Sequence, residues 1–87
     1  MKLEEKILIL RKKHGLSQEE LAQRLGVTRQ AVYKWESGNA FPEMDKIKAL
    51  AKLFSVSFDY LLDDTVEEYD LGTSNTKVRY RDVYFPQ

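Results

Sequence analysis

A run of polar side chains follows Thr28 at spacings that place several of them on one face of a helix. Pairs within the run lie three or four residues apart, the spacing of neighbours on a helix surface. They are Arg29, Gln30, Tyr33 and Lys34. An arginine can donate two hydrogen bonds to guanine O6 and N7, a glutamine can pair with adenine N6 and N7, and a threonine methyl can contact thymine. These residue types therefore suit the recognition of base edges in a DNA major groove.

The helix before this run begins with a recognisable start pattern. Ser17 is followed three residues later by Glu20, the capping box in which each side chain satisfies a backbone N–H of the first turn. Gly26 is placed to end the helix early, because glycine adopts the left-handed conformation of a helix C-terminus at little cost. The apolar side chains of this short predicted helix share one face: Leu21, Ala22 and Leu25.

The helix that carries the polar run has its own cap and its own end. Thr28 is a preferred N-cap residue, and Ser37 with Gly38 ends the segment. Trp35 shares the apolar side with Val32, so we expect it in the core rather than in a stacking platform. Two short helices around a tight glycine turn can insert the second helix into a major groove while the first crosses the phosphate backbone.

Apolar periodicity predicts three further helices in the first 62 residues. They run from about Leu3 to His14, from about Glu43 to Phe54, and from Phe58 to Leu62. Pro42 is expected to open the second of these, and Met44 is expected to belong to its apolar stripe. Five helices in all predict an all-α domain over residues 1–62.

Residues 63–87, the C-terminal extension, differ in charge from the rest. Residues 1–62 hold 11 basic and 8 acidic side chains, a net +3, whereas the extension holds 3 and 6, a net −3. The segment 77–85 is rich in strand-forming residues and predicts one short strand that docks on a symmetry mate or a partner protein; a flexible tail is the alternative. The acidic run from Asp63 to Asp70 is a candidate competitor with DNA for a basic face.

Several motifs together resemble the phage-repressor-like, Cro-type helix-turn-helix family of bacterial and phage transcription regulators. The resemblance covers about Leu3 to Leu62 and rests on SQEELAQRLGV, on WESG with a proline four residues later, and on SVSFDYLL. It implies a five-helix, lambda-repressor-like DNA-binding domain. Many relatives carry a lysine where this chain has Asn39, which predicts weaker backbone contacts and a shallower salt dependence.

The resemblance and the residue types assign expected roles to individual positions. The predicted base contacts are Thr28, Arg29, Gln30, Tyr33 and Lys34. The predicted phosphate contacts are Gln18, at the start of the second helix, and Ser37 and Asn39, in the loop after the third. The resemblance also implies a structural ion pair between Arg11 and Glu36. The alternative is that the polar run forms only a solvated helix face.

The composition argues against catalytic, metal and cofactor chemistry. The chain has no cysteine and one histidine, His14, which is expected to bond to the last carbonyls of its own helix. Adjacent carboxylates such as Glu19 and Glu20 diverge on a helix, whereas the carboxylates of an acid–base pair must converge. We therefore expect no enzyme, no catalytic residue, no metal site and no cofactor.

These patterns combine into an expected function. We expect a sequence-specific transcription regulator of double-stranded DNA, most simply a repressor that occludes a promoter. One helix reads few base pairs, so a homodimer on a palindromic operator is expected. The alternative is an antitoxin-type protein that binds a partner protein through the extension and regulates its own operon. The lack of cysteine and of secretory or membrane-spanning patterns predicts a cytoplasmic protein of bacterial or phage origin.

Overall fold

The computed structural model describes residues 1–64, and five α-helices follow one another along them. They are α1 (Leu3–Lys13), α2 (Gln18–Leu25), α3 (Arg29–Ser37), α4 (Met44–Phe54) and α5 (Phe58–Leu62). The predicted all-α, five-helix fold is confirmed. The predicted strand at 77–85 and the acidic run beyond Asp64 lie outside the described residues, so the division of the chain at residue 62 stays a prediction.

The ends of α2 and α3 follow from local hydrogen bonding, as the sequence predicted. The Ser17 hydroxyl accepts the Glu20 N–H at 3.0 Å, and the Glu20 carboxylate accepts the Ser17 N–H at 2.8 Å. The pKa of the Glu20 carboxyl is lowered mainly by the hydrogen bond that its carboxylate accepts from the Ser17 N–H. Hydrogen bonding of the carboxylate with the Ser17 hydroxyl lowers it further. Gly26 and Gly38 close the two helices with φ of +71° and +80°, a conformation that favours glycine.

The start of α4 differs from the prediction. Glu43 has an extended backbone and is the N-cap, and Met44 is the first helical residue. Pro42 therefore lies before the helix and does not open it. Met44 lies in the first turn and is 54% exposed, so the predicted apolar stripe of α4 is buried only from Ile47 onward.

One hydrophobic core is shared by all five helices. Its most deeply buried apolar side chains are Ile7, Leu10, Leu21, Val32, Ile47, Leu50 and Leu61. Burying one such side chain contributes about 1.5–3 kcal/mol. Trp35 is only 6% exposed, which confirms its predicted place in the core. No helix among residues 1–64 is long and apolar enough to span a bilayer.

A buried lysine that the sequence did not reveal joins α1 to α5. Lys6 is 1% exposed, and its ammonium donates to the backbone carbonyls of Tyr60 and Asp63, the latter at 2.6 Å. The ammonium also lies 4.6 Å from the centre of the Tyr60 ring, a cation–π distance. The last turn of α5 is therefore held against the first helix.

Candidate nucleic-acid interface

The unit formed by α2, the turn and α3 is compact and well supported. Three residues, Gly26 to Thr28, separate the two helices. The Val27 N–H donates to the Ala22 carbonyl at 3.0 Å, and the Val27 side chain packs on the core. This backbone bond and the packing of Val27 fix the angle at which α3 leaves α2, so the position of α3 is set by the core rather than by a loose loop.

The predicted base-contact residues lie together on the solvent side of α3. Thr28 is the N-cap: its hydroxyl accepts the Ala31 N–H at 3.1 Å, so its methyl group is the part suited to thymine. The remaining four side chains are exposed, Tyr33 by 55%. We call this surface the reading face; its residues are Thr28, Arg29, Gln30, Tyr33 and Lys34. A shallow depression on it is lined by Arg29, Gln30 and Tyr33.

The dimensions of α3 suit a DNA major groove. At about 1.5 Å per residue, the rise from Arg29 to Lys34 is about 7.5 Å. That length matches roughly two base-pair steps of about 3.4 Å. A helix with its side chains is about 10–12 Å across, and the major groove is about 12 Å wide. The reading face can therefore lie along the base edges of a few consecutive pairs.

The charges that α3 presents to solvent are both positive. Arg29 and Lys34 are exposed, and no acidic side chain stands in the first turn of the helix. The third charged side chain of α3, Glu36, is turned inward and is only 5% exposed. Its carboxylate is paired inside the domain, so it does not oppose an approaching phosphate. The exposed surface of α3 is therefore cationic although the whole chain is neutral.

A buried hydrogen-bonded network connects α3 to α1 and α2. The Arg11 guanidinium donates to both Glu36 oxygens, at 2.6 and 3.0 Å, and to the Leu16 carbonyl at 2.8 Å. The Gln18 amide donates to the same carboxylate at 3.0 Å. The structure thus pairs Arg11 with Glu36, as the resemblance implied, and adds Gln18 to the pair. The sequence could not reveal that addition, because Gln18 and Glu36 meet only in the tertiary fold.

The predicted phosphate contacts are partly committed to bonds within the chain. One N–H of the Gln18 amide is used on Glu36, which leaves its second N–H and the backbone at the start of α2. The Ser37 hydroxyl donates to the Lys34 carbonyl at 3.2 Å. The Asn39 backbone N–H donates to the same carbonyl at 2.9 Å. A phosphate contact from Asn39 must therefore use its exposed side-chain amide, because its backbone N–H is already bonded.

His14 has a structural position. Its Nδ1 lies 2.9 Å from the Leu10 carbonyl, which confirms the predicted bond to its own helix, and its ring packs at a tilt on Phe54, 4.9 Å between centroids. Within residues 1–64, no three His, Cys, Asp or Glu side chains are grouped so that they could hold a metal ion.

Two short helices around a three-residue turn, with the second exposed and polar, define a helix-turn-helix domain. A helix-turn-helix family model matches residues 7–61, and the chain belongs to this family. The resemblance stated from the motifs is thereby confirmed.

Individual relatives carry regulatory names. The chain is 41% identical over 88 residues to the HTH-type transcriptional activator BcrR of Enterococcus faecalis, covering 97% of this chain and 43% of that protein. It is 37% identical to the 26 kDa repressor protein of Escherichia phage HK022, covering 76% of this chain and 29% of that protein. The chain thus spans less than half the length of these two curated relatives.

A solved structure supports the same fold. The P22 c2 repressor in complex with a synthetic operator matches with a TM-score of 0.69 and 33% identity, covering 72% of this chain and 96% of that one.

Proposed function

We propose that this protein is a sequence-specific transcription regulator that binds double-stranded DNA with α3 in the major groove. The observation that carries the proposal is the reading face: polar and cationic side chains on an exposed helix that a buried ion pair supports from behind. The P22 c2 repressor, whose fold this chain shares, was solved on an operator. The family is one of DNA-binding regulators, and no catalytic activity is part of the proposal.

Each reading-face residue has a proposed role. Arg29 donates to guanine O6 and N7, Gln30 pairs with adenine N6 and N7, and the Thr28 methyl contacts thymine. Each good bidentate pair discriminates by about 1–3 kcal/mol. Lys34 and Tyr33, one turn further along α3, flank these contacts. The positive end of the α2 dipole, at Gln18, is oriented to meet a phosphate.

The protein is proposed to act as a homodimer on a palindromic operator. The reading face spans only a few base pairs, and two-fold dimers of this motif double the contact with half-sites about 34–36 Å apart. Repression by occlusion of a promoter is the simplest mode. The relatives include an activator and a repressor, so a reporter gene downstream of the bound site decides the direction. Such a regulator would work in the cytoplasm of a bacterial cell, where the DNA lies.

Selection and sequencing of bound DNA from a randomised duplex library tests the proposal. The expected result is a palindromic motif with half-sites one helical turn apart. Arg29→Ala/Lys34→Ala removes two positive charges from the reading face and should abolish the motif. Lys48→Ala/Lys52→Ala removes two exposed charges from α4 and should preserve it. Absence of any motif, or equal loss in both variants, would contradict reading by α3 and would turn attention to a partner protein.

A further inference from the structure

A groove lined by apolar and charged side chains lies open near the C-terminal end of α3. Its lining includes the buried residues Leu3, Trp35 and Pro42. Phe41 and Leu62 also line it, and they are 67% and 36% exposed. We call this surface the Phe41 groove. Phe41 is the most exposed large hydrophobic side chain of residues 1–64, and an aromatic ring left in water forgoes the stabilisation that burial of its large surface would give.

The described chain ends at the edge of this groove. Asp64 itself lines it, and the position of Asp64 is fixed by contacts with the N-terminal segment. The Asp64 carbonyl accepts a hydrogen bond from the Met1 nitrogen at 2.6 Å, and its carboxylate lies 4.0 Å from the Lys2 ammonium. One residue earlier, the Asp63 carbonyl is held by Lys6 at 2.6 Å. The residues that follow Asp64 therefore start at the groove.

We propose that residues 65–70 of the same chain cover the Phe41 groove, with Val66 and Tyr69 packed against Phe41 and Leu62. The segment reads TVEEYD, with its two large apolar side chains three residues apart. At no more than about 3.6 Å per residue, Val66 lies within about 7 Å of the Cα of Asp64 and Tyr69 within about 18 Å. Both side chains can therefore reach a groove that Asp64 already lines.

Charge does not direct the segment into the groove, because the lining has one basic side chain, Lys2, and two acidic ones, Glu4 and Asp64. Glu67 and Glu68 stand between the two apolar residues, and Lys2 lines the groove, 71% exposed. The groove also contains Glu4, whose carboxylate lies against Gly38. The Lys2 ammonium already lies 4.0 Å from the Asp64 carboxylate, and an exposed pair of this kind contributes little. The apolar contacts therefore supply most of the binding.

A segment of the same chain has an advantage over a second molecule for this groove. A tethered segment that begins at its own site has an effective concentration in the millimolar range. A second copy binds only when the protein concentration approaches the dissociation constant of that contact. The similarity to BcrR covers 97% of this chain, so it continues into the extension.

Docking would also affect the loop between α3 and α4. Phe41 and Pro42 belong to the same loop as Asn39, a predicted phosphate contact. Covering Phe41 would restrain that loop. This consequence rests on the proposed DNA binding, whereas the docking itself does not.

Nuclear magnetic resonance on the free full chain tests the docking without DNA. In an equimolar mixture of isotope-labelled and unlabelled chains, filtered spectra separate contacts within one chain from contacts between two. The expected result is a nuclear Overhauser effect between the rings of Tyr69 and Phe41 within one chain. Absence of this contact refutes the docking. The same contact seen only between two chains assigns the groove to a second copy and also refutes it.

Thermal unfolding of variants provides a second, independent readout. Tyr69→Ala should lower Tm by about 4–8 °C, the shift that a loss of 1 kcal/mol produces in a domain of this size. Leu71→Ala removes a large apolar side chain from just outside residues 65–70 and should leave Tm unchanged. On the groove side, Phe41→Ala should remove the effect of Tyr69→Ala. Met44→Ala, at an apolar residue that is 54% exposed and outside the groove lining, should not. Equal effects of Tyr69→Ala and Leu71→Ala would overturn the assignment.

Discussion

Removing Arg11 should destabilise the domain far more than removing an ordinary surface charge. The Glu36 carboxylate is 5% exposed and accepts two hydrogen bonds from Arg11 and one from Gln18. Arg11→Leu leaves that carboxylate buried with one partner and also removes the donor to the Leu16 carbonyl. Removing one member of a buried ion pair costs about 3–5 kcal/mol. Proteins have about 0.05–0.15 kcal/mol of stability per residue, which is about 4–13 kcal/mol for 87 residues, so the loss is a large fraction of the total.

The double variant distinguishes a buried charge from lost packing. Arg11→Leu/Glu36→Leu removes both charges, and replacing a whole buried pair by apolar residues is often neutral or stabilising. Its stability should therefore lie well above that of Arg11→Leu alone. Urea unfolding, followed by the fluorescence of Trp35, the single tryptophan, measures both. A loss below about 1 kcal/mol in Arg11→Leu, the range of exposed pairs, would refute the reasoning. So would a double variant no more stable than the single one.

Three further predictions concern residues outside the reading face. Gly38→Ala and Gly15→Ala should each lower the free energy of unfolding by about 1–2 kcal/mol, because alanine is disfavoured in a left-handed backbone. Gly38→Ala should cost slightly more, because its Cβ would lie 2.8 Å from the movable Glu4 carboxylate. Thermal unfolding compares the two variants. Hydrogen bonding lowers the pKa of Glu20 in the folded state, so the ionised carboxylate stabilises the fold. This stabilisation is complete above the unfolded pKa of about 4.3 and disappears as the pH falls through the folded pKa. Glu20→Gln should lack this loss of stability when unfolding is measured from pH 7 to 3. Lys6→Met leaves two carbonyls at the end of α5 without their ammonium, so it should cost about 1–3 kcal/mol and speed hydrogen exchange in α5.

Helix positions could be predicted because their determinants are local. The capping box of Ser17 and Glu20 and the left-handed glycines at 26 and 38 operate within a few residues, and each appears where the sequence indicated. The predicted start of α4 was wrong, because a proline restricts the residue before it but does not fix where the next helix begins. The extended backbone of Glu43 sets that position.

Contacts that depend on the tertiary fold could not be predicted. Lys6 lies next to Ile7 on the core side of α1, yet lysine is rarely buried unless paired. Its acceptors, the carbonyls of Tyr60 and Asp63, are 54 and 57 residues away. The same holds for the Gln18 bond to Glu36, 18 residues apart. The position of the reading face was easier to predict, because a single helix places its residues together. Their contacts with DNA stay a prediction.

The most direct test of reading by α3 is a thermodynamic cycle between one side chain and one base pair at fixed salt. Operator affinity is measured for the parent protein and Gln30→Ala on the selected motif and on a version with one A·T pair changed. We expect Gln30→Ala to lose about 1–3 kcal/mol of discrimination at one pair in each half-site and to bind all other single-pair changes in the parent's order. Equal weakening on every sequence, with discrimination unchanged at every pair, would show that Gln30 contributes no sequence reading and would contradict recognition by this face.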